Sequence, residues 1–226
     1  MYFNTFLLNI QMCNLNTYGG VMSKLYFRYG AMNAGKSAAL LQTAYNYKEK
    51  NKKVILIKPK LDTKGGNKIT SRIGISSDVD ILLGFGESLN KLKYKKIIKN
   101  SDCILIDESQ FLSEKQVEEL WLITKKCDIP VICYGIKTNF QSKLFEGSKR
   151  LLELSDELEE LATICSCGQK ARFNARIING KYVTVGDNIE IDNNEKIKYE
   201  SLCGNCYIKK VIEEANEDGR KNQDII

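Results

Sequence analysis

The chain has 226 residues, 43% of them hydrophobic and 27% charged, enough for one full-sized domain plus a small appendage and too short for two catalytic lobes. Thirty-four Lys and Arg against 28 Asp and Glu leave a formal charge of +6, which suits an anionic ligand but falls short of a protein that coats nucleic acid. There is no histidine, so a His general base, Ser-His and Cys-His pairs and any His-ligated metal are excluded.

Residues 1–21 hold the apolar patch Phe6-Leu7-Leu8, broken by Asn4, Asn9, Gln11 and Asn14. This is too short and polar for a membrane span and lacks the basic start of a signal peptide, so it is expected to be a dispensable extension before Met22. No later stretch reaches the length of an apolar span, so a cytoplasmic protein with no membrane partner is expected. Eight cysteines in such a compartment favour metal or free thiols over disulfides.

From Leu25 short apolar runs alternate with longer helical ones, the pattern of an α/β domain with a parallel sheet. Strands are predicted at Leu25–Tyr29, Lys53–Lys58, Val79–Leu83, Asp102–Ile106 and Pro130–Tyr134. Helices are predicted at Lys36–Lys50 and after Ser113, which with Gln116 makes a capping box. Leu61–Thr70, with Gly65-Gly66, reads as a loop. Leucines at 151, 152, 154, 158 and 161, with acidic residues between them, predict a last amphipathic helix over Leu151–Leu161. Beyond it the character changes: four cysteines fall between Cys165 and Cys206, flanking a hairpin signal at Asn179-Gly180. The expected organisation is a main domain over 22–161, a small cysteine-bearing domain over 162–210 and a charged tail over 211–226.

Gly30-Ala31-Met32-Asn33-Ala34-Gly35-Lys36-Ser37 is a GxxxxGKS segment between a predicted strand and a predicted helix, the context a phosphate loop requires. Its backbone N–H groups can wrap a polyphosphate at the positive end of the helix dipole. Lys36 reaches the outer phosphates and the Ser37 hydroxyl can coordinate Mg²⁺. ATP and Mg²⁺ are therefore expected. The second signal is the apolar strand Cys103-Ile104-Leu105-Ile106 ending in Asp107-Glu108-Ser109-Gln110. Asp107 would hold the magnesium through water, Ser109 and Gln110 complete the nucleotide-facing strand end, and Glu108 is placed to accept a proton from the attacking nucleophile. The third is Cys165-Ser166-Cys167 with Cys203-Gly204-Asn205-Cys206, two close thiol pairs that suit a closed, tetrahedral, structural Zn²⁺ site. Cys103 and Cys133 lie in predicted buried strands and Cys127 near a predicted helix end, and all three read as core thiols. The run Lys91, Lys93, Lys95, Lys96, Lys99 reads as a solvated helix face. Phe111, Phe140, Phe145 and Tyr199 either line a pocket for a planar ring or are ordinary packing.

In their order and spacing these segments, with Asp62-Thr63, Ser71-Arg72-Ile73-Gly74, Tyr134-Gly135 and Tyr199-Glu200-Ser201-Leu202-Cys203, resemble the zinc-containing, tetrameric type of thymidine kinase. The resemblance runs from about Ser23 to Lys209. It implies a P-loop (RecA-like) parallel-sheet domain followed by a small zinc-ribbon-like domain. It also implies transfer of the γ-phosphoryl of ATP to the 5′-hydroxyl of thymidine or deoxyuridine, with Glu108 as base. Carried over by position, Met32, Asp62, Gln110, Phe111, Phe140, Phe145 and Tyr199 would surround the nucleoside, with Arg72 near the phosphates. Backbone groups of a lasso-like segment around Ile189 and Ile191 would hold the thymine. The resemblance further implies feedback inhibition by dTTP and a homotetramer. The fourth zinc ligand is Cys206 where many bacterial relatives have His, and Ser109 stands where Ala or Gly is usual.

Two other classes share parts of this signature. A helicase-like ATPase uses the same phosphate loop and acidic pair but needs a second lobe, for which the chain after Leu161 is too small. A zinc-ribbon binding protein would have no use for Ser37, Asp107 and Glu108 together. No nucleic-acid partner is expected.

Overall fold

The computed structural model describes residues 22–62, 65–186 and 197–213. Among these the chain divides into two compact units. One draws on the segments up to Tyr29, Gly35–Gly135 and Glu146–Glu159, and the other on Gly30–Ala34, Ile136–Phe145 and the chain from Glu160 onward.

The first unit is built on a six-stranded sheet of β1 (Leu25–Tyr29), β2 (Val54–Pro59), β5 (Ile81–Leu83), β6 (Cys103–Ile106), β7 (Val131–Gly135) and β8 (Glu157–Glu160). Their order across the sheet is β5-β2-β6-β7-β1-β8. The pairs β1–β7, β7–β6, β6–β2 and β2–β5 are parallel. Every residue of β2, β6 and β7 is buried, as expected where apolar runs are covered on both faces. Phe27, Ile57, Ile104, Ile106, Val131 and Cys133 form the core with Val117, Leu120 and Ile123. Those last three come from a helix over Glu114–Cys127, whose Ser113 cap and Gln116 form the predicted capping box. The phosphate-loop helix, α1, spans Lys36–Glu49. A shorter helix, Leu92–Lys99, buries Tyr94 and Ile98 and leaves its lysines outside, with Lys91 and Lys93 both paired to Glu87.

Three elements differ from expectation. The polar stretch before Thr70 is partly ordered as β3 (Lys68–Thr70), which pairs antiparallel with β4 (Ser76–Asp78). The predicted strand at Val79 starts only at Ile81: the Val79 N–H donates to the Asn67 carbonyl at 3.0 Å, and the Asp80 carboxylate, in place of a backbone carbonyl, takes the Leu56 N–H at 2.8 Å. The predicted helix over Leu151–Leu161 does not exist as one element: a helix over Glu146–Leu154 stops and β8 follows. The reason is tertiary. Asp156 accepts the Leu25 N–H at 2.7 Å and pairs with Lys125 at 2.7 Å, which pulls the chain out of the helix and lays the next residues beside β1.

In the second unit, β11 (Phe173–Ile178) pairs antiparallel with both β12 (Lys181–Val183) and β13 (Ile197–Leu202). Asn179-Gly180, with φ 52° and 82°, makes the predicted hairpin turn. A two-stranded ladder of β9 (Thr163–Ile164) and β10 (Lys170–Ala171) sits at its cysteine end. The core here is small: Cys165, Ala171, Ala175, Leu202, Cys203, Tyr207 and Val211. Among the described residues no helix is long and apolar enough to cross a membrane.

Candidate active site

In the first unit, the chemistry gathers at the carboxyl ends of β2 and β6, where parallel α/β sheets bind ligands. Gly35 precedes α1 with φ 73°, a left-handed conformation that favours glycine. The helix start has no side-chain cap and no acidic residue in its first turn, so its leading N–H groups and dipole remain suited to an anion. Lys36 is buried. That burial lowers its pKa, against the opposing charges of Glu108 and Asp107, while the Arg72 charge also disfavours its protonated form. The Ser37 hydroxyl donates to Asp107 Oδ2 at 3.0 Å, so the phosphate loop and the acidic strand end meet as the motifs require. Burial, reinforced by the neighbouring Glu108 charge, pushes Asp107 up to about 7. A divalent cation would offset this crowding of negative charge. The Ser37 and Asp107 oxygens form a hard, oxygen-only donor set of the kind Mg²⁺ takes.

Glu108 sits at φ 47°, uncommon for a residue with a side chain. It is followed at once by a tight turn over Ser109–Phe111. Gln110, buried, donates from Nε2 to Glu108 Oε2 at 2.5 Å. Gln110 and Ser109 are packed against Gly135, where an added Cβ would lie 2.7 Å from Ser109 Oγ and 2.8 Å from Gln110 Oε1. The Ser109 hydroxyl is buried with no hydrogen-bond partner among the described residues, and Phe111 is half-buried. Asp62 is held by Lys58, 2.9 Å away. The Lys58 ammonium also donates to the carbonyls of Lys68 at 3.2 Å and Gly66 at 3.4 Å, which fastens the base of the β3–β4 hairpin. Arg72 lies exposed at that hairpin's turn, which Ser71 closes through Ile75.

The second unit carries the remaining predicted residues. Gly30 admits no side chain, since a Cβ there would meet the Leu161 carbonyl oxygen at 2.5 Å. Ala31 is buried, Met32 and Ala34 are half-buried and Asn33 is exposed with φ 65°. Phe140 is buried beneath the Arg176 guanidinium, 3.8 Å from its ring centroid. Phe145 and Tyr199 are half-buried, and Tyr199 stands opposite Arg176 in the β11–β13 ladder. Ile189 and Ile191 lie outside the described residues. The thiols of Cys165, Cys167, Cys203 and Cys206 all lie within 4.8 Å of one another, close to the ~3.8 Å edge of a tetrahedron with Zn–S bonds of about 2.3 Å. The Cys165 loop turns back on itself, with Gly168 N–H donating to the Cys165 carbonyl. Four soft ligands at this spacing fit a closed zinc site.

Sequence reasoning missed Lys58, Asn174, Arg176 and Ser201. The signal for Lys58 was a lysine near the end of an otherwise apolar buried strand. For Asn174 and Arg176 it was a polar pair inside a strand whose neighbours are apolar.

A sequence model of the family described as Thymidine kinase matches residues 23–207. The thymidine kinase of Shewanella oneidensis is 44% identical over 184 residues, covering 80% of this chain and 95% of that protein. That of Haemophilus influenzae is 45% identical over 195 residues, covering 84% and 98%. That of Rhodopirellula baltica is 41% identical over 199 residues, covering 87% and 93%. With a phosphate loop, an acidic strand end and a four-cysteine cluster all inside the matched span, the chain belongs to the thymidine kinase family.

Proposed function

We propose that this chain transfers the γ-phosphoryl of ATP to the 5′-hydroxyl of thymidine, or of deoxyuridine, giving the monophosphate and ADP for nucleotide salvage. Family membership supports the reaction, and the single structural observation behind it is the Ser37–Asp107 hydrogen bond beside Glu108. The phosphate-loop N–H groups and Lys36 bind and orient the triphosphate. Mg²⁺, held by Ser37 and through water by Asp107, supplies charge neutralisation when bound. Glu108 takes the proton of the 5′-hydroxyl as that oxygen bonds to the γ-phosphorus and the bond to the β-phosphate oxygen breaks. Gln110 keeps the receiving carboxylate oriented. Such catalysis is mostly positioning and charge stabilisation.

The nucleoside is assigned to Met32, Asp62, Gln110, Phe111, Phe140, Phe145 and Tyr199, with Arg72 near the phosphates and the segment of Ile189 and Ile191 on the base. Zn²⁺ at the four cysteines is structural. Inhibition by dTTP, a homotetramer and a cytoplasmic location complete the reading. The first two rest on the family resemblance, and the last on six free cysteines among the described residues, with Cys127, expected as a core thiol, instead disulfide-bonded.

The test is ADP release from ATP and Mg²⁺ with thymidine, deoxycytidine or single-stranded DNA added separately. Strong stimulation by thymidine with thymidine monophosphate as product supports the reading. Stimulation by DNA alone overturns it in favour of a DNA-dependent ATPase.

A further inference from the structure

Met32, in the first half of the phosphate loop, is gripped at both of its backbone polar groups by side chains of the small antiparallel sheet. Its N–H donates to Asn174 Oδ1 at 2.7 Å, and its carbonyl accepts from the Ser201 hydroxyl. Asn174 on β11 and Ser201 on β13 are directly opposed partners in the ladder. They are only 4% and 7% exposed, so these bonds are shielded from competing water and one lost partner is costly. The other end of the Asn174 amide is also used: Nδ2 donates to the Thr138 carbonyl at 3.1 Å, in the segment that carries Phe140. The next loop residue is held from the same unit, since the Thr163 hydroxyl donates to the Asn33 carbonyl at 3.4 Å.

An amide is the side chain suited to this place. It offers one acceptor and one donor on a planar fork, and here one faces a backbone N–H and the other a backbone carbonyl. One consequence concerns the nucleotide directly. The Met32 N–H is already committed to Asn174, so the backbone groups left to a phosphate begin at Asn33, beyond the grip.

We propose that Asn174 and Ser201 form a peptide clamp that fixes the entry of the phosphate loop, acting as positioning residues for the nucleotide site. The proposal rests on the kinase reading in assigning the loop to ATP. By this account the small sheet sets the conformation of residues 30–34. The clamp also sits next to the cysteine cluster in sequence, because Ser201-Leu202-Cys203 is continuous.

The test compares the full chain with Asn174→Ala, Ser201→Ala and Ser201→Thr. It measures ADP binding by calorimetry, KM and kcat for ATP with saturating thymidine, zinc content and thermal melting. Each alanine variant is expected to weaken ADP binding and raise the KM for ATP about tenfold, the scale of one buried hydrogen bond. Zinc content should stay unchanged, melting should shift by only a few degrees and kcat should fall less than KM rises. Ser201→Thr retains the hydroxyl on a strand-favouring side chain and is expected to recover most of the affinity. Alanine variants that bind ADP and use ATP as the wild type does would overturn the clamp, as would a Ser201→Thr protein no better than Ser201→Ala. If Asn174→Ala fails to fold, the two Ser201 variants decide. Wild-type protein without thymidine-dependent ADP release would sink the kinase reading, while ADP affinities that still followed the clamp variants would uphold the clamp.

Discussion

Glu108 is held by its surroundings in three ways: by a left-handed backbone at φ 47°, by the tight turn that follows and by the Gln110 amide on its carboxylate. Such a backbone costs on the order of 1 kcal/mol and persists only where the neighbourhood enforces it. Replacing Glu108 by Gln keeps the shape and removes the proton acceptor. Turnover is then expected to fall about 10²-fold or more, with ADP binding within about twofold of wild type. Steady-state kinetics beside calorimetry checks this, and near-normal turnover would take Glu108 out of the base role. The adjacent Ser109 carries the opposite expectation. Its hydroxyl is buried without a partner among the described residues, so it contributes desolvation cost and no compensating bond there. Ser109→Ala should raise unfolding stability by about 1 kcal/mol in urea titrations, and a loss of stability would mean that the hydroxyl has a partner after all.

At the scale of elements, the central strands were legible because a parallel strand buried on both faces leaves a continuous apolar run in the sequence. The capping box at Ser113 was legible because both of its partners are local. The helix misread over Leu151–Leu161 shows the limit. Leucines at those spacings satisfy a helical face, but the chain breaks at Ser155-Asp156 to meet groups more than a hundred residues away in sequence, such as Leu25. Burial works against ionising the Asp156 carboxylate, yet Lys125 and the Leu25 N–H outweigh it, so its pKa lies below the ordinary range. A lowered native pKa means that this stabilisation is complete above the unfolded value near pH 4 and is lost as pH falls through the native one. Asp156→Asn is therefore expected to cost about 1–2 kcal/mol at pH 7, allowing for partial exposure. The gap should close in acid below about pH 4. Urea unfolding at pH 7 and pH 3 measures both, and an equal gap at the two pH values would exclude the ion pair as its source.

Across the whole molecule, the parts of the site that could be read in advance were those written as contiguous motifs: the phosphate loop, the acidic strand end and the paired cysteines. What could not be read is long-range. Lys58 acts through carbonyls of a hairpin that looked like loop, and Asn174 and Ser201 reach Met32 from 142 and 169 positions away. The cysteine cluster belongs to both classes, since each pair is local while the pairs meet only through the fold, as in the 3.5 Å approach of Cys167 and Cys203 sulfurs. The core it stands on is Ala171, Ala175, Leu202, Tyr207 and Val211 besides two of the cysteines themselves. A core that small rarely holds a unit of this size without a staple. A tetrahedral ion would join the turn after β9 to the end of β13, and its binding energy would be folding energy for this unit. Strong chelation, or Cys165→Ser, is accordingly expected to speed proteolysis within 160–213 by about tenfold or more while the β2-β6-β7 core stays protected. Limited proteolysis read by mass spectrometry, with metal content measured in parallel, makes the comparison. Metal-free protein that keeps wild-type protection across 160–213 would show that the small unit folds on its apolar core alone.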